Sequence, residues 1–345
     1  MSPPIGRILL IKPSALGDVC RSMPILASLR NAHPGARIDW LVQEDFADVV
    51  RGHPALHAAV TFPRRAWRRW WHPGVMAEVL GFARALGRAR YDLVLDLQGL
   101  LRSGFFMWST GARRRVGWRH AREGAWLAAN ERHLVRGGPD ATERMLALLE
   151  DAGVKLVRDA RIHLPPGAAE AWRSARGDLG VDGRFVMLAP TSRWAAKRWP
   201  AERWRELAAG LMERGHRVVM VGAPSEQAQV RAVMPPGGAL NLCGRLPLAQ
   251  WLAAIADADA VVANDSAAVH AAAGLGRPLV GIYGATDPRH VGPYQRGDCV
   301  VSAEGEPPSD PHAYRHDAMA ARMATIGVER VRSALERELS RGPRW

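Results

Sequence analysis

The sequence predicts an α/β protein with two Rossmann-like domains that face each other across a cleft. Its length of 345 residues exceeds the usual size of a single hydrophobic core. Short apolar runs alternate with helical patterns in both halves, which is typical of parallel sheets covered by helices. A Pro/Gly-rich stretch at 164–167 separates the two series. Folds of this kind bind ligands at the carboxyl ends of their strands, so we expect the site there.

In the first half, apolar runs predict strands at 7–11, 37–42, 59–62, 92–97 and 115–118. Apolar residues at helical spacing predict helices at 18–31, 75–86 and 141–152. The Arg/Trp run from Pro63 to Trp71 fits neither pattern, and we predict a mobile loop there.

The pattern restarts after the linker. Strands are predicted at 185–189, 218–221, 260–263 and 279–283, and helices at 202–214, 224–233, 248–257 and 266–274. A last amphipathic helix is predicted at 328–339. The domains are therefore expected at 1–163 and 164–322, with a C-terminal helical segment at 323–345 that packs back on the first domain.

The composition is that of an ordinary soluble chain, with 48% hydrophobic and 23% charged residues. No stretch approaches the ~20 apolar residues of a membrane-spanning helix, and the run 8–11 is too short for a signal peptide. A cytoplasmic protein is expected. Cys20, Cys243 and Cys299 are too far apart for a zinc site or a disulfide framework, and buried thiols are predicted.

The net charge of +13 is unevenly distributed. Residues 61–122 hold 13 arginines against Glu78, Asp92 and Asp96. Such a patch attracts an anionic partner, which the sequence leaves open as nucleic acid, an anionic membrane surface or an acidic substrate. The Arg-rich composition of the whole chain explains part of the excess but not the clustering.

The first motif, Lys12 to Asp18, follows the first predicted strand. It lacks the glycine and Gly-Lys-Ser/Thr spacing of a P-loop. Asp18 either caps a helix, where it would satisfy free amides, or faces the cleft as a general base.

Three further motifs follow strands of the second half. Thr191, Ser192 and Lys197 offer hydroxyls and a point charge for phosphate, or form a solvated loop. Ser266 opens a helix of small residues, a ready anion site that His270 could also reach unless it is a structural histidine. Glu226 either accepts hydrogen bonds from a ribose diol or is an ordinary helix N-terminal carboxylate.

Together these residues resemble the ADP-heptose:lipopolysaccharide heptosyltransferases, glycosyltransferase family 9, over nearly the whole chain. The resemblance is strongest to the enzymes that add the first inner-core heptose. It is carried by the residues at 12–18, 64–70, 91–100, 121–123, 197–200, 264–270 and 283–288. The family usually has glycine where this chain has Ala267, and a Gly-Pro-Thr turn where it has Gly284-Ala285-Thr286.

The resemblance implies a GT-B fold and an inverting transfer without metal or cofactor. The donor would be ADP-heptose, bound by the second domain, and the acceptor an anionic lipid-linked sugar of Kdo-lipid A type, bound by the first. It implies catalytic roles for Asp18 and Lys197. Donor contacts are expected at Ser14, Gly17, Thr191, Ser192, Glu226, Asp265, Ser266, Ala267 and His270. Acceptor contacts are expected at Arg64, Arg65, Trp67, Arg68, Arg69, Gln98 and Arg122.

Two rival functions remain at this point. One is a related glycosyltransferase that uses another nucleotide sugar. The other is a basic nucleic-acid-binding protein, which the absence of a nucleic-acid-binding motif disfavours. Peripheral contact with the cytoplasmic face of the inner membrane is expected because the implied acceptor is a lipid.

Overall fold

The computed structural model describes residues 5–134, 138–308, 310, 313–316 and 319–344. Trp345, the last residue of the predicted C-terminal segment, lies outside them. The chain divides into two compact units, Met1–Pro165 and Pro166–Trp345. The division falls inside the Pro/Gly-rich stretch. Each unit is one continuous piece of chain.

The first unit is built on a six-stranded sheet in which all neighbouring strands are parallel. Its strands are β1 (Arg7–Ile11), β2 (Arg37–Gln43), β3 (Ala58–Phe62), β4 (Leu93–Asp96), β5 (Arg114–Trp118) and β6 (Glu131–His133). Their order is β3-β2-β1-β4-β5-β6. The order reverses between β1 and β4, where Ile8 pairs with Leu93. Such a reversal opens a crevice at the carboxyl ends of the two strands.

Six helices cover this sheet: α1 (Leu16–Arg21), α2 (Met23–Ala32), α3 (Asp48–Arg51), α4 (Pro73–Arg88), α5 (Leu101–Ser109) and α6 (Ala141–Asp151). Parallel crossovers are right-handed, so the helices after β1 and β2 lie on one face and those after β3 and β4 on the other. The packing agrees, since α1 contacts α3 and α2 contacts α6, whereas α4 contacts α5. A 3₁₀ turn at Ala125–Ala128 packs on α5 and extends that second layer.

The second unit repeats the plan of the first. Its parallel strands are β7 (Phe185–Ala189), β8 (Arg217–Met220), β9 (Leu240–Asn241), β10 (Ala260–Asn264), β11 (Leu279–Tyr283) and β12 (Val300–Ser302). They lie in the order β12-β11-β10-β7-β8-β9. Counted from the first strand of each sheet, the two orders are the same. The reversal here lies between β7 and β10, where Val186 pairs with Ala260.

The helices of the second unit are α7 (Ala168–Asp178), α8 (Ala201–Glu213), α9 (Gln227–Val233), α10 (Leu248–Asp257), α11 (Ala267–Gly274), α12 (Pro288–Val291), α13 (Ala320–Met323) and α14 (Val328–Arg341). Helix α14 packs on α8 and on strands β10, β11 and β12 of its own unit. Its buried Val331 and Leu335 join Trp199 and Trp204 in the core there. The predicted α/β class with two parallel sheets is confirmed.

Two predicted elements of the first unit are wrong in detail. The single helix expected at 18–31 is interrupted at Ser22, which separates α1 from α2. Pro24 lacks the amide hydrogen that an unbroken helix needs at that position, and it is tolerated because it falls in the first turn of α2. The run expected to be a mobile loop contains a 3₁₀ turn at Ala66–Arg69, held by the ring of Trp67 against Phe62 and Phe82.

The sequence reading also missed several elements. Helix α5 was missed because it has only nine residues, and the exposed Leu101 and Trp108 blur the contrast between its apolar and polar faces. Helix α7 is polar over much of its surface, and β6, β9 and β12 are edge-side strands of two or three residues. In the described part of the chain, no helix combines the length and the apolar character needed to cross a membrane.

Candidate active site

In the first unit, the candidate base lies in the first turn of α1, the helix that follows β1. Asp18 stands in the first turn of α1, and its Oδ2 accepts a hydrogen bond from the backbone N–H of Ala15 at 3.2 Å. Arg21, one turn further on, donates from Nη2 to Oδ1 of Asp18 at 2.6 Å. The Arg21 side chain is 7% exposed and that of Asp18 36%. The carboxylate is thus both fixed by its neighbours and accessible to solvent.

The charges around Asp18 decide its protonation state. Burial by itself raises the pKa of a carboxyl group, but the positive charges of Lys12 and Arg21 and the hydrogen bonds from Arg21 and Ala15 outweigh it. The pKa of Asp18 therefore lies well below its ordinary value, and the group is ionised at neutral pH. Burial lowers the pKa of Lys12, whose Nζ lies 3.4 Å from the carbonyl oxygen of Leu97.

The loop after β4 forms the other side of this crevice. Asp96 is buried, and its Oδ1 accepts from the backbone amides of Gln98 and Gly99 at 2.8 and 3.1 Å. Its Oδ2 accepts from the hydroxyl of Ser103 at 2.8 Å. Gly99 has a positive φ of 65°, and a Cβ there would lie 3.2 Å from the ring of Trp118. Asp96 therefore shapes the loop that presents Gln98.

A cavity of about 370 Å³ opens beside this loop. Gln98 and Arg122, both predicted acceptor residues, line it. The rest of its lining includes Trp118, His120, His133 and Arg144, which sequence reasoning missed because they come from three different parts of the chain. The cavity combines cationic, imidazole and aromatic groups, a lining suited to an anionic sugar.

The remaining predicted acceptor residues lie elsewhere, on and around the 3₁₀ turn at Ala66–Arg69. None of Arg64, Arg65, Arg68 and Arg69 lines the 370 Å³ cavity. All four are exposed, with Arg65 3.5 Å from Asp45. Trp67 is half-buried, and its indole N–H donates to Glu78 at 3.0 Å. The indole thus anchors the turn, which displays the arginines to solvent.

In the second unit, the loop after β7 carries two of the predicted donor residues. Thr191 and Ser192 are buried directly after the strand. The Thr191 hydroxyl donates to Oε2 of Glu226 at 2.7 Å, and the same oxygen accepts from the N–H of Ala223 at 2.8 Å. Glu226 thereby ties the loop after β8 to the loop after β7.

Lys197 meets Asp265 at the reversal between β7 and β10. Its Nζ lies 2.5 Å from Oδ2 of Asp265, which also accepts from the hydroxyl of Thr286 at 2.7 Å. Loops after β7, β10 and β11 therefore converge on one carboxylate. The neighbouring Asn264 fixes the loop after β7 at two points, since its amide donates to the carbonyl of Pro190 and its Oδ1 accepts from the N–H of Trp199.

An aromatic group covers the lysine. Lys197 Nζ lies 4.4 Å from the ring centroid of Tyr314, and Trp194 meets the same ring edge-on at 5.3 Å. Sequence reasoning missed Tyr314, Trp194 and Thr286. Tyr314 stands more than a hundred residues after Lys197 in a segment without helical or strand periodicity, so only the fold brings the two together.

The N-terminus of α11 lies next to Asp265. Ser266 is the N-cap residue, yet its hydroxyl makes no capping bond, and Ala267 is the first helical residue. The free amides and dipole of an N-terminus favour an anion. His270 is buried one turn further along the helix. Ser14 and Gly17, predicted as donor contacts, lie in the first unit on the turn before Asp18.

Comparison with known proteins decides the family. Residues 79–318 match the family described as Glycosyltransferase family 9 (heptosyltransferase). The chain belongs to glycosyltransferase family 9. Lipopolysaccharide heptosyltransferase 1 of Pseudomonas aeruginosa is 31% identical over 304 residues, which covers 86% of this chain and 84% of that protein. Its namesake from Escherichia coli K12 is 29% identical over 316 residues, covering 87% and 94%.

Solved structures of family 9 members agree with this assignment. The E. coli heptosyltransferase WaaC with ADP superposes with a TM-score of 0.75 at 26% identity, covering 96% of this chain and 99% of that one. A family 9 member from Veillonella parvula gives a TM-score of 0.81 at 22% identity, covering 99% of both chains, and so supports the fold alone. The predicted GT-B fold and glycosyltransferase activity are confirmed, and the nucleic-acid-binding alternative is disfavoured.

Proposed function

We propose that this glycosyltransferase moves heptose from ADP-heptose, with inversion, to a Kdo-lipid A type acceptor in the inner core of lipopolysaccharide. One observation carries the proposal. Each sheet places charged groups where its strand order reverses, an ionised carboxylate at Asp18 in the first unit and the Lys197–Asp265 pair in the second. These are the two kinds of group that glycosyl transfer requires.

Asp18 is proposed to accept the proton of the attacking acceptor hydroxyl. A sugar hydroxyl is a poor nucleophile, and a positioned carboxylate removes its proton as the new bond forms. The low pKa of Asp18 keeps it ionised and makes it a weak base toward the free hydroxyl. Proton transfer therefore becomes favourable only as the hydroxyl oxygen bonds to the anomeric carbon and its own acidity rises.

Lys197 and the N-terminus of α11 are proposed to stabilise the departing ADP. Negative charge develops on the diphosphate as the glycosidic bond breaks, and a fixed cation with aligned amides favours that charge. Thr191, Ser192, Ser266, Ala267 and His270 are proposed as further diphosphate contacts, with Ser14 and Gly17 from the first unit. Because the acceptor displaces ADP directly, one displacement inverts the anomeric centre.

Two carboxylates are proposed to contact the two sugars of the donor, its ribose and its heptose. Glu226 lies where a ribose diol is recognised in Rossmann folds, after the second strand of the unit. Asp265 is proposed to contact hydroxyls of the heptose, since it accepts from Lys197 and Thr286 and is held in place by both. A structure of WaaC with ADP-2-deoxy-2-fluoro heptose, 26% identical to this chain, supports the choice of donor.

The acceptor is assigned to the first unit. The cavity with Gln98 and Arg122 suits the carboxylates of an anionic sugar, and Arg64, Arg65, Arg68 and Arg69 are proposed to contact phosphates of its lipid portion. The Trp67 turn holds those arginines in place. We place the enzyme in the cytoplasm, in peripheral contact with the inner membrane in which such an acceptor is embedded.

A donor screen tests the assignment. Purified enzyme is offered ADP-heptose, UDP-, GDP- and dTDP-sugars with a Kdo-lipid A type acceptor, and turnover is expected with ADP-heptose.

Asp18→Ala should abolish turnover and retain ADP affinity within about threefold, because the base acts on the acceptor. Turnover with another nucleotide sugar alone would replace the donor assignment, and wild-type turnover by Asp18→Ala would remove Asp18 from the base role.

A further inference from the structure

Among the residues that the structure describes, the large hydrophobic side chains left exposed all lie between 70 and 134. They are Trp70, Trp71, Leu80, Leu101, Trp108, Trp126, Leu127 and Leu134. Exposed apolar residues are ordinary on a protein surface when they are scattered singly. Confinement to one stretch of one unit indicates an interaction surface instead.

Apart from Leu134, which follows β6, these side chains lie on or directly beside one layer of the first unit. It consists of α4, α5 and the 3₁₀ turns at Ala66–Arg69 and Ala125–Ala128, and we call it the α4–α5 layer. Helix α5 contacts both α4 and the Ala125–Ala128 turn, and α4 contacts the Ala66–Arg69 turn. The packing is close, since a Cβ on Gly104 of α5 would lie 2.9 Å from Cα of Ala125. The layer is therefore a continuous supported surface.

Helix α5 is apolar on its outer side as well as its inner side. Its residues Phe106 and Met107 are buried on the inner side. Leu101 and Trp108, seven residues apart and hence on the same side of the helix, are 62% and 65% exposed. Leu127 on the adjoining turn is 66% exposed. A helix of a water-soluble protein normally turns charged or polar residues outward at such positions.

The same layer carries much of the positive charge of the chain. Exposed arginines on it or beside it are Arg68, Arg69, Arg84, Arg88, Arg102, Arg113, Arg119 and Arg132. Of the five acidic residues between 61 and 134, Asp96 is buried and the other four each accept a hydrogen bond. Asp92 accepts from the amides of Gly6 and Arg7, Glu78 from Trp67, Glu123 from the amide of Leu101, and Glu131 from Arg114. Exposed Trp and Leu beside arginines are the combination that binds the interface of an anionic bilayer.

We propose that the α4–α5 layer docks the enzyme on an anionic lipid bilayer. Trp108 and Leu127 insert among the headgroups, and the surrounding arginines contact lipid phosphates. The inference rests on the proposed function, in which the acceptor is lipid-linked, and deepens it by naming the membrane-binding surface. Nucleic acid would account for the arginines but not for the exposed Leu101 and Leu127, which offer no ring for a base to stack on.

Vesicle flotation of the full chain, without donor or acceptor, tests the proposal. The vesicles are phosphatidylcholine alone or mixed with phosphatidylglycerol. Trp108→Glu/Leu127→Glu is compared with Ala169→Glu/Ala171→Glu, which adds the same charge at two exposed positions of α7. We expect the wild type and the α7 variant to float with phosphatidylglycerol vesicles, and the layer variant to partition at least about tenfold less. Equal melting temperatures and ADP affinities show that both variants are folded.

The outcomes separate this proposal from the enzymatic one. If the wild type stays in solution with phosphatidylglycerol vesicles at low salt, or if the layer variant floats equally well, the surface is wrongly assigned. The surface is also wrongly assigned if the wild type is a dimer, the layer variant is a monomer, and neither protein binds vesicles. Turnover on a de-acylated, water-soluble acceptor should be unchanged in the layer variant. If the wild type binds vesicles but transfers no heptose, the proposed function is contradicted and the membrane surface is not.

Discussion

Asp18 and Asp96 both lie close to Lys12, but their surroundings differ and give them different roles. Burial raises the pKa of Asp96, although hydrogen bonds from Ser103, Gly99 and Gln98 oppose it. That carboxyl group is buried, and both of its oxygens accept hydrogen bonds from the loop after β4 and from Ser103. Asp18 has a lowered pKa and an accessible carboxylate. Only Asp18 combines ionisation with access, so we assign it alone to proton transfer.

Arg21 is predicted to set the pH range of the enzyme. Its positive charge lowers the pKa of Asp18, so Arg21→Gln should raise that pKa. A base must be ionised, and activity is lost as the pH falls through its pKa. The acidic limb of the kcat/KM profile should therefore move to higher pH in Arg21→Gln and less so in Arg21→Lys, which keeps the charge. An unmoved limb in a variant with normal ADP binding would contradict this electrostatic role.

The same pKa shift affects folding. Because the pKa of Asp18 is lower in the folded than in the unfolded chain, its contribution to the free energy of unfolding is fully present above the unfolded pKa. It is lost as the pH falls below about 4 toward the folded pKa. Because the acidic limb of the wild-type profile falls in this same range, the folded fraction is measured at each pH of the Arg21 comparison.

Lys197 is predicted to act on the leaving group. Lys197→Met should lower kcat about a hundredfold or more, since it removes the cation proposed to stabilise the departing diphosphate. The chain offers a matched control in Lys155→Met, because Lys155 is exposed outside the predicted site residues. Steady-state kinetics with ADP-heptose check both variants. Comparable losses in the two would point to a general effect of removing positive charge.

At the residue scale, sequence supplied the charged groups but not their partners. Asp265 directly follows β10, and Asp18 and Lys197 stand within eight residues after β1 and β7, so a pattern of strand followed by polar residues finds them. Arg21 and Tyr314 follow from no such pattern. The orientation of Arg21 depends on the helical turn that begins at Leu16, and Tyr314 reaches Lys197 only through the folded second unit.

At the scale of elements, a segment without regular structure is held tightly against α3. The chain at His163 and Leu164 passes over Gly52, so closely that a Cβ there would lie 2.3 Å from both of their carbonyl oxygens. The rings of His53 and His163 meet edge-on with centroids 5.0 Å apart. The end of the first unit is thereby fixed just before the Pro/Gly-rich stretch.

Gly52→Ala is predicted to destabilise the first unit by more than about 2 kcal/mol, because the backbone of 163–164 would have to move. Gly177→Ala in α7 is the control. A Cβ at Gly177 meets nothing within 4 Å, and alanine favours a helix by about 1 kcal/mol over glycine. Denaturant unfolding of both variants measures the difference. Equal stability of the two would show that the contact at Gly52 is less close than the structure has it.

Elements with a strong pattern were predictable and irregular ones were not. Strands β1, β7 and β11 and helix α10 have the predicted bounds, because each is a bounded apolar run or an amphipathic period. Helix α5 is short and carries Leu101 and Trp108 on its outer side, which blurs the contrast between its faces. The same two residues place it at the centre of the proposed membrane surface.

At the scale of the whole molecule, the two sheets share one strand order. In each, charged candidate residues follow the first strand, Asp18 and Lys197, and polar ones follow the fourth, Gln98 and Asp265. Sequence predicted two Rossmann-like domains because the alternation of strand and helix restarts after residue 167. It did not predict the edge strands β6, β9 and β12, whose two or three residues are too few to show a period.

The continuity of each unit has a consequence for how such enzymes diversify. The proposed acceptor residues all precede Pro165, and the proposed donor contacts other than Ser14 and Gly17 follow Pro166. One genetic crossover within the Pro/Gly-rich stretch would therefore give a relative a new donor half while its acceptor half is inherited whole. Recombination at a single point could change which sugar is transferred without altering the residues proposed to bind the lipid-linked acceptor.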